Sequence, residues 1–370
     1  MEQEGAAIVY CEGAFNTTYG KTAHGLVRFT RRYRVMSVID SRYAGMDSGR
    51  IIDGRPNDIP VVHDLAAALQ HAGEHGDTAT HFVIGIAPDG GYMSPVMRRH
   101  VIEAIEAGLN VDSGLHEFLT EDEEIERLAA ARGVTLRDIR KPPERKDLHF
   151  FSGKIEEVTA LKIALLGTDS AIGKRTTAWI LAKALNDAGI PAEMIGTGQT
   201  SWLQRAQYSL ILDSLVNDFV AGEIEHVVHS AWKETNPSVI IIEGQGSLMN
   251  PAFPGGFEIM AAGRPDIVIL QHAPARKEYD GFPGYRLHPL ARQIEAIELL
   301  SEKKVVAITI NHEGIPPGTI AEACRKITEE TGLPAFDCLA EGADGLMAVI
   351  IPYIHAKGDT EAKTDENNQR

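Results

Sequence analysis

The chain has no run near the ~18 apolar residues that a membrane helix needs, so a helical span is excluded. It has only three cysteines, Cys11, Cys324 and Cys338, too few and too scattered for a disulfide framework or a zinc knuckle. They read as reduced thiols packed as small apolar groups. Basic residues are also short: 36 Lys plus Arg stand against 52 Asp plus Glu, a formal net charge of -16, which argues against a general nucleic-acid binder. The start, Met1-Glu2-Gln3-Glu4-Gly5, is acidic where a secretory signal is basic. The expected setting is cytoplasmic, with neither nucleic acid nor membrane as a partner.

What is present is a long chain with ample core material. Its 370 residues favour two domains at about 150 residues each, and 44% hydrophobic residues suffice for two cores. Short β-branched runs alternate with longer helical patterns, which is the mark of parallel sheets joined by crossover helices. In the first part the runs are Ile8 to Tyr10, Val35 to Ile39, Phe82 to Ile86 and Leu109 to Val111, each followed by Gly, Asp or Ser. The stretch from Arg140 to Asp147, with Pro142-Pro143 and dense charge, reads as a connection, so the sequence predicts an α/β domain over 1–150. A second series, Leu161 to Leu166, Val239 to Ile242, Ile267 to Leu270 and Val305 to Ile310, predicts an α/β domain over 151–356. The polar segment 357–370 reads as a disordered tail.

The strongest motif opens the second series. The strand Leu161 to Leu166 runs into Gly167-Thr168-Asp169-Ser170-Ala171-Ile172-Gly173-Lys174-Arg175-Thr176-Thr177, and then into a helix whose apolar face carries Trp179, Ile180, Leu181, Ala184 and Leu185. Gly189 can stop that helix and Pro191 forbids continuation. Backbone N–H groups and the positive helix end attract phosphate there, and Lys174 adds a point charge. Two departures matter. Five residues, not the common four, separate Gly167 from Gly173, and Arg175 follows Lys174 where the common pattern has a Ser or Thr that ligates magnesium. A guanidinium cannot ligate a cation, although it can pair with phosphate. Thr176 or Thr177 substitutes only by a shift of register, so the loop points to phosphate more firmly than to ATP hydrolysis.

Other candidates lie at strand ends. The apolar strand before Glu243-Gly244-Gln245-Gly246-Ser247 delivers a carboxylate that can hold magnesium through water, take a proton from a substrate, or cap nearby amides. Thr197 and Gln199, in Gly196-Thr197-Gly198-Gln199-Thr200, are candidate substrate contacts. After Ile267 to Leu270 come His272, a candidate acid or base, and Arg276, a candidate clamp for a carboxylate. His226 and His229 stand three apart but have no motif partners, so they read as packed or solvated, and no metal site is expected. In the first domain, Gly13 to Thr22 imitates a phosphate loop with Phe15 in place of the first glycine. Asp40 and Ala87-Pro88-Asp89-Gly90-Gly91 follow strands as in a Rossmann-like crevice, but no G-x-G-x-x-G accompanies them, so NAD is not expected.

The loop from Gly167 to Thr177, with Gly196 to Thr200 and Ile242 to Ser247, resembles the D-glutamate N-acetyltransferase family. So do Gly20-Lys21-Thr22-Ala23-His24-Gly25, Val38 to Gly45, Gly114 to Leu119 and Leu148 to Gly153, and the resemblance covers nearly the whole chain. It implies a Rossmann-like amino-terminal domain, a P-loop NTPase-like carboxy-terminal domain, and acetyl transfer from acetyl-CoA to the amine of D-glutamate or a related amino acid. The loop and the Glu-Gly-x-Gly turn are also similar to dethiobiotin synthetase, which uses ATP and magnesium, but there a Thr directly follows the loop lysine. On the first reading, Gly167 to Thr177 hold coenzyme phosphates, Glu243 or failing that His272 takes the amine proton, and Lys174 with backbone N–H groups stabilises the oxyanion. Thr197, Gln199 and Arg276 then contact the amino acid, and the chain is expected to form a homo-oligomer. The alternatives are an ATP/magnesium-dependent ligase or kinase and a nucleotide-sensing module.

Overall fold

The computed structural model describes residues 3–368, with side chains through 358. It divides into two compact units, Met1–Pro143 with Gln199–Ala206, and Glu144–Gly198 with Gln207–Arg370. The change expected near residue 150 thus falls directly after Pro142-Pro143. A second feature was not expected: the short segment 199–206 returns to the first unit. Among the described residues no helix is long and apolar enough to cross a membrane, and all three cysteines are buried and free.

The first unit is built on a parallel sheet of β1 (Gly5–Tyr10), β2 (Tyr33–Ile39), β3 (Val61–Val62), β4 (His81–Ile84), β5 (Asn110–Ser113) and β6 (Leu136–Asp138). Their spatial order is β3-β2-β1-β4-β5-β6, the doubly wound order whose switch point lies between β1 and β4. Ile8, Val9, Phe82, Val83 and Ile84 are fully buried, as parallel strands covered on both faces require. β4 ends two residues before the expected Ile86. At Gly85 a Cβ would stand 2.7 Å from Val9 Cγ1 and 2.9 Å from Ala23 Cβ, so only glycine lets the helix Lys21–Arg28 press this close to the sheet.

The second unit holds β7 (Leu161–Gly167), β8 (Ala192–Gly196), β9 (Tyr208–Ser209), β10 (Val239–Glu243), β11 (Ile267–His272), β12 (Val305–Ile310) and β13 (Ala335–Phe336). The sheet is again parallel, in the order β13-β12-β11-β7-β10-β8-β9. β7 is buried throughout and lies between β10 and β11, where successive connections run in opposite directions. The crevice outside its carboxyl end is therefore where this architecture receives ligands. One core layer contains Leu166, Ile240, Ile242 and Ile308, and the opposite layer Leu165, Leu181, Ile241 and Leu346. The helix Lys174–Asp187 ends just before Gly189, whose φ of 78° is the left-handed conformation that stops it. The helix Asp344–Asn368 runs through the segment read as a disordered tail. Lys357 Nζ donates to Asp266 Oδ1 at 2.8 Å, and residues 369–370 of that segment lie outside the described residues.

Candidate phosphate-binding site

Between β7 and its helix the chain makes an open nest. Gly173, the helix N-cap, has φ 96°, and Ala171 has φ 49°, a left-handed conformation that a non-glycine residue adopts at a cost. The amides of Ala171, Ile172 and Gly173 donate to no protein acceptor among the described residues. Such a run of open N–H groups at a helix N-terminus is an anion cradle. The base of the loop is fixed by Thr168 N donating to Gln271 O of β11 at 2.9 Å. Buried Lys174 folds back into the loop and its Nζ donates to Asp169 O at 2.7 Å and Gly246 O at 2.8 Å. That path exists because residue 167 has no side chain: a Cβ would lie 2.8 Å from Lys174 Cδ and 2.9 Å from Ile172 Cδ1.

Asp169 organises the loop instead of facing a ligand. Fully buried, it accepts from Ser170 N at 2.7 Å, Asn250 Nδ2 at 2.9 Å, Asp280 N at 3.0 Å and Arg276 Nη1 at 2.9 Å. Arg276, the candidate clamp for a carboxylate, is thus engaged with the loop. Its guanidinium also donates to Ser170 O and Ala171 O and pairs with Glu313, so it holds the loop from its carbonyl side. Burial alone would lower the Arg276 pKa, but the hydrogen bond to Asp169 and the Glu313 charge hold it above the ordinary arginine value. By bonding the loop's carbonyls from behind, Arg276 leaves the amides to point elsewhere.

Three more strand ends converge here. Glu243, buried at the end of β10, accepts from Thr197 N at 3.1 Å, and its carbonyl accepts from Thr197 Oγ1 at 2.9 Å. Gln245 Nε2 donates to the same hydroxyl at 3.0 Å. His272 ends β11 with Nδ1 3.0 Å from Thr168 Oγ1. Burial, with a smaller contribution from Lys277, pushes its pKa down to about 4, so near neutral pH the ring is uncharged and a weak base. Thr177 turns inward and donates to Gln271 Oε1 at 2.7 Å, so its hydroxyl is not presented as a cation ligand. Gln199, the other candidate of that turn, belongs to the first unit, where its Nε2 donates to Thr22 Oγ1 at 2.9 Å.

In the first unit, one strand-end carboxylate is engaged by the protein itself. Asp40, at the end of β2, accepts from Phe15 N at 2.9 Å and Arg42 Nη2 at 2.7 Å. Burial would raise its pKa, but Arg42 and the backbone amides hold it below the usual aspartate value. His226, which is exposed, stacks on His149 with centroids 3.5 Å apart, and half-buried His229 places its Nε2 2.9 Å from Glu157.

A doubly wound unit joined to a parallel sheet with a phosphate loop defines a two-unit α/β protein of the P-loop class. Residues 149–347 match a P-loop domain of unknown function, DUF1611_C, and residues 41–142 match the Rossmann-like DUF1611_N domain. The chain belongs to the DUF1611 family. It is 31% identical over 277 residues to a D-glutamate N-acetyltransferase of a Pseudoalteromonas species, covering 73% of this chain and 81% of that one. A D-glutamate N-acetyltransferase of Tritonibacter scottomollicae is 29% identical over 275 residues, with 73% and 80% covered. The crystal structure of a DUF1611 family protein from Anabaena variabilis superposes with a TM-score of 0.83 at 28% identity, covering 94% of this chain and 99% of that one.

Proposed function

We propose that the protein is an N-acetyltransferase that moves an acetyl group from acetyl-CoA to the amine of D-glutamate or a related amino acid. The observation that carries this reading is the open nest at Ala171, Ile172 and Gly173 with the Lys174 ammonium inside it and the Glu243 carboxylate on the adjoining strand end. The nest suits a diphosphate, since Gly167 and Gly173 leave the backbone bare and Arg175 adds a cation suited to phosphate rather than to metal. Acetyl-CoA, when bound, supplies the acetyl group in activated form as a thioester. Glu243, oriented by the Thr197 N–H, takes the proton that the substrate ammonium must lose before it attacks. Lys174 and the open amides are the donors available to negative charge that develops during transfer. His272, neutral at working pH, holds the Thr168 hydroxyl and so fixes the loop instead of moving the proton.

The relatives named D-glutamate N-acetyltransferase support the acceptor and the reaction. The P-loop unit with Glu243 at a strand end also suits an ATP- and magnesium-dependent ligase or kinase, so the test includes both. Purified protein is given acetyl-CoA with a panel of D- and L-amino acids and free thiol is followed, beside a control with ATP and magnesium in which phosphate is followed. Thiol release that requires D-glutamate or a close relative is the expected result. No thiol with any amino acid, together with magnesium-dependent phosphate release, overturns the proposal in favour of the ligase; tight binding without any turnover overturns it in favour of a sensor.

A further inference from the structure

Beside the phosphate loop, on the far side of His272, the second unit holds a cleft of about 400 Å³. This is within the size range of small-molecule sites. Its walls are mostly apolar, with Pro274, Leu287, Pro289, Leu290 and Ile327 among them, and Lys277, Lys326 and His288 set polar groups into that surface. Lys277 forms no ion pair among the described residues, and Lys326 pairs with Glu322 at 2.6 Å. One carboxylate, Glu330, lines the same cleft. His288 is held in place by the Tyr279 hydroxyl, 2.8 Å from its Nδ1.

His272 connects this cleft to the nest, since the ring that lines the cleft also meets the Thr168 hydroxyl of the loop. Arg276 lines the cleft as well and bonds Ser170 O and Ala171 O, so the cleft and the loop share two side chains. We propose that the cleft receives the nucleoside end of coenzyme A, its base against the apolar walls and its 3′-phosphate on Lys277 and Lys326, an assignment that rests on the acetyl-CoA reading above. The chemistry of the walls favours this occupant. A dicarboxylic amino acid has little apolar surface to set against the proline and leucine side chains, whereas a purine has two flat faces. A phosphomonoester carries close to two negative charges, which suits a pair of lysines better than a single carboxylate does. In coenzyme A that phosphate sits on the same ribose that carries the diphosphate, so loop and cleft are served by neighbouring parts of one molecule.

The test is calorimetric binding of CoA and of 3′-dephospho-CoA to the wild-type chain, to Lys277→Ala and Lys326→Ala, and to the double variant, with thermal midpoints to verify folding. The wild type is expected to favour CoA by about tenfold or more, and the double variant to reduce that preference to about twofold or less, since the 3′-phosphate then loses both charged donors. Equal binding of the two coenzymes by the wild type overturns the assignment while leaving the transferase reading intact, as does a preference that survives the double replacement. A double variant that keeps the preference but has a raised KM for the amino acid shows that the acceptor occupies the cleft. Absence of CoA binding by the wild type overturns both readings together.

Discussion

Asp169 and Arg276 form a pair in which neither group can be removed singly without stranding the other. The Asp169 side chain is fully buried and that of Arg276 is 11% exposed, so Asp169→Asn leaves a largely buried guanidinium with a neutral partner. Breaking a buried pair from one side costs about 3–5 kcal/mol, and the partial exposure of Arg276 together with the pairing to Glu313 places the expected loss at the lower end. Denaturant unfolding measures it, and the loop's affinity for CoA is expected to fall as well, because asparagine has one accepting oxygen where Asp169 has two, so either Ser170 and Asn250 or Arg276 and Asp280 lose their acceptor. Glu243 gives the opposite pattern. Glu243→Gln can keep the hydrogen bond from Thr197 N but cannot accept a proton, so kcat is expected to fall by ~10²-fold or more with coenzyme affinity nearly unchanged. A kcat within a few-fold of wild type removes Glu243 as the base.

At the scale of the strand, loop and helix, the bare backbone at residue 167 governs where the lysine lies. Gly167→Ala puts a methyl group against the ends of two flexible side chains, Lys174 and Ile172, which can give way without disrupting the sheet. Stability is therefore expected to change by only about 1 kcal/mol, while the displaced ammonium lowers coenzyme affinity by about tenfold; calorimetry beside thermal melting separates the two effects. This strand-loop-helix element was legible in the sequence because an apolar run, two glycines, a lysine and an amphipathic helix each report the same geometry locally. The long central strands were legible for the same reason. The edge strands β3, β6, β9 and β13 were not, since two or three residues carry no periodicity. Nor was the role of Arg276 legible, because its partner lies 107 positions earlier and an arginine after a strand looks the same whether it faces a ligand or a loop. The unit to which Gln199 belongs was not legible for a related reason: its turn follows β8 in the chain, but its amide bonds a threonine 177 positions away.

For the whole molecule, the chain order makes the first unit depend on residues from the second half of the sequence. Trp202 supplies much of that dependence: Arg32 Cζ sits 3.7 Å from its ring centroid, and Arg32 Nε and Nη2 donate to its carbonyl at 3.0 and 2.9 Å. Gln204 Nε2 adds bonds to Gly25 O at 2.9 Å and Phe29 O at 2.8 Å. Trp202→Ala is expected to destabilise the first unit by about 2–3 kcal/mol, seen as faster amide exchange across β1 and β2, because a cation–π contact and ring packing are lost together. The second unit carries its own pH dependence through His272. Its pKa is about 4 when folded and about 6.5 when unfolded, so between those values the unfolded chain binds more protons. Stability thus rises with pH across this window, and the contribution present above pH 6.5 is lost as the pH falls toward 4, up to about 3 kcal/mol at one pKa unit per 1.36 kcal/mol. The His272→Asn variant has no such proton to take up. Its unfolding free energy, followed in parallel with the wild type from pH 7 to pH 4, is expected to fall less steeply, and identical slopes mean that the ring is solvated and titrates normally.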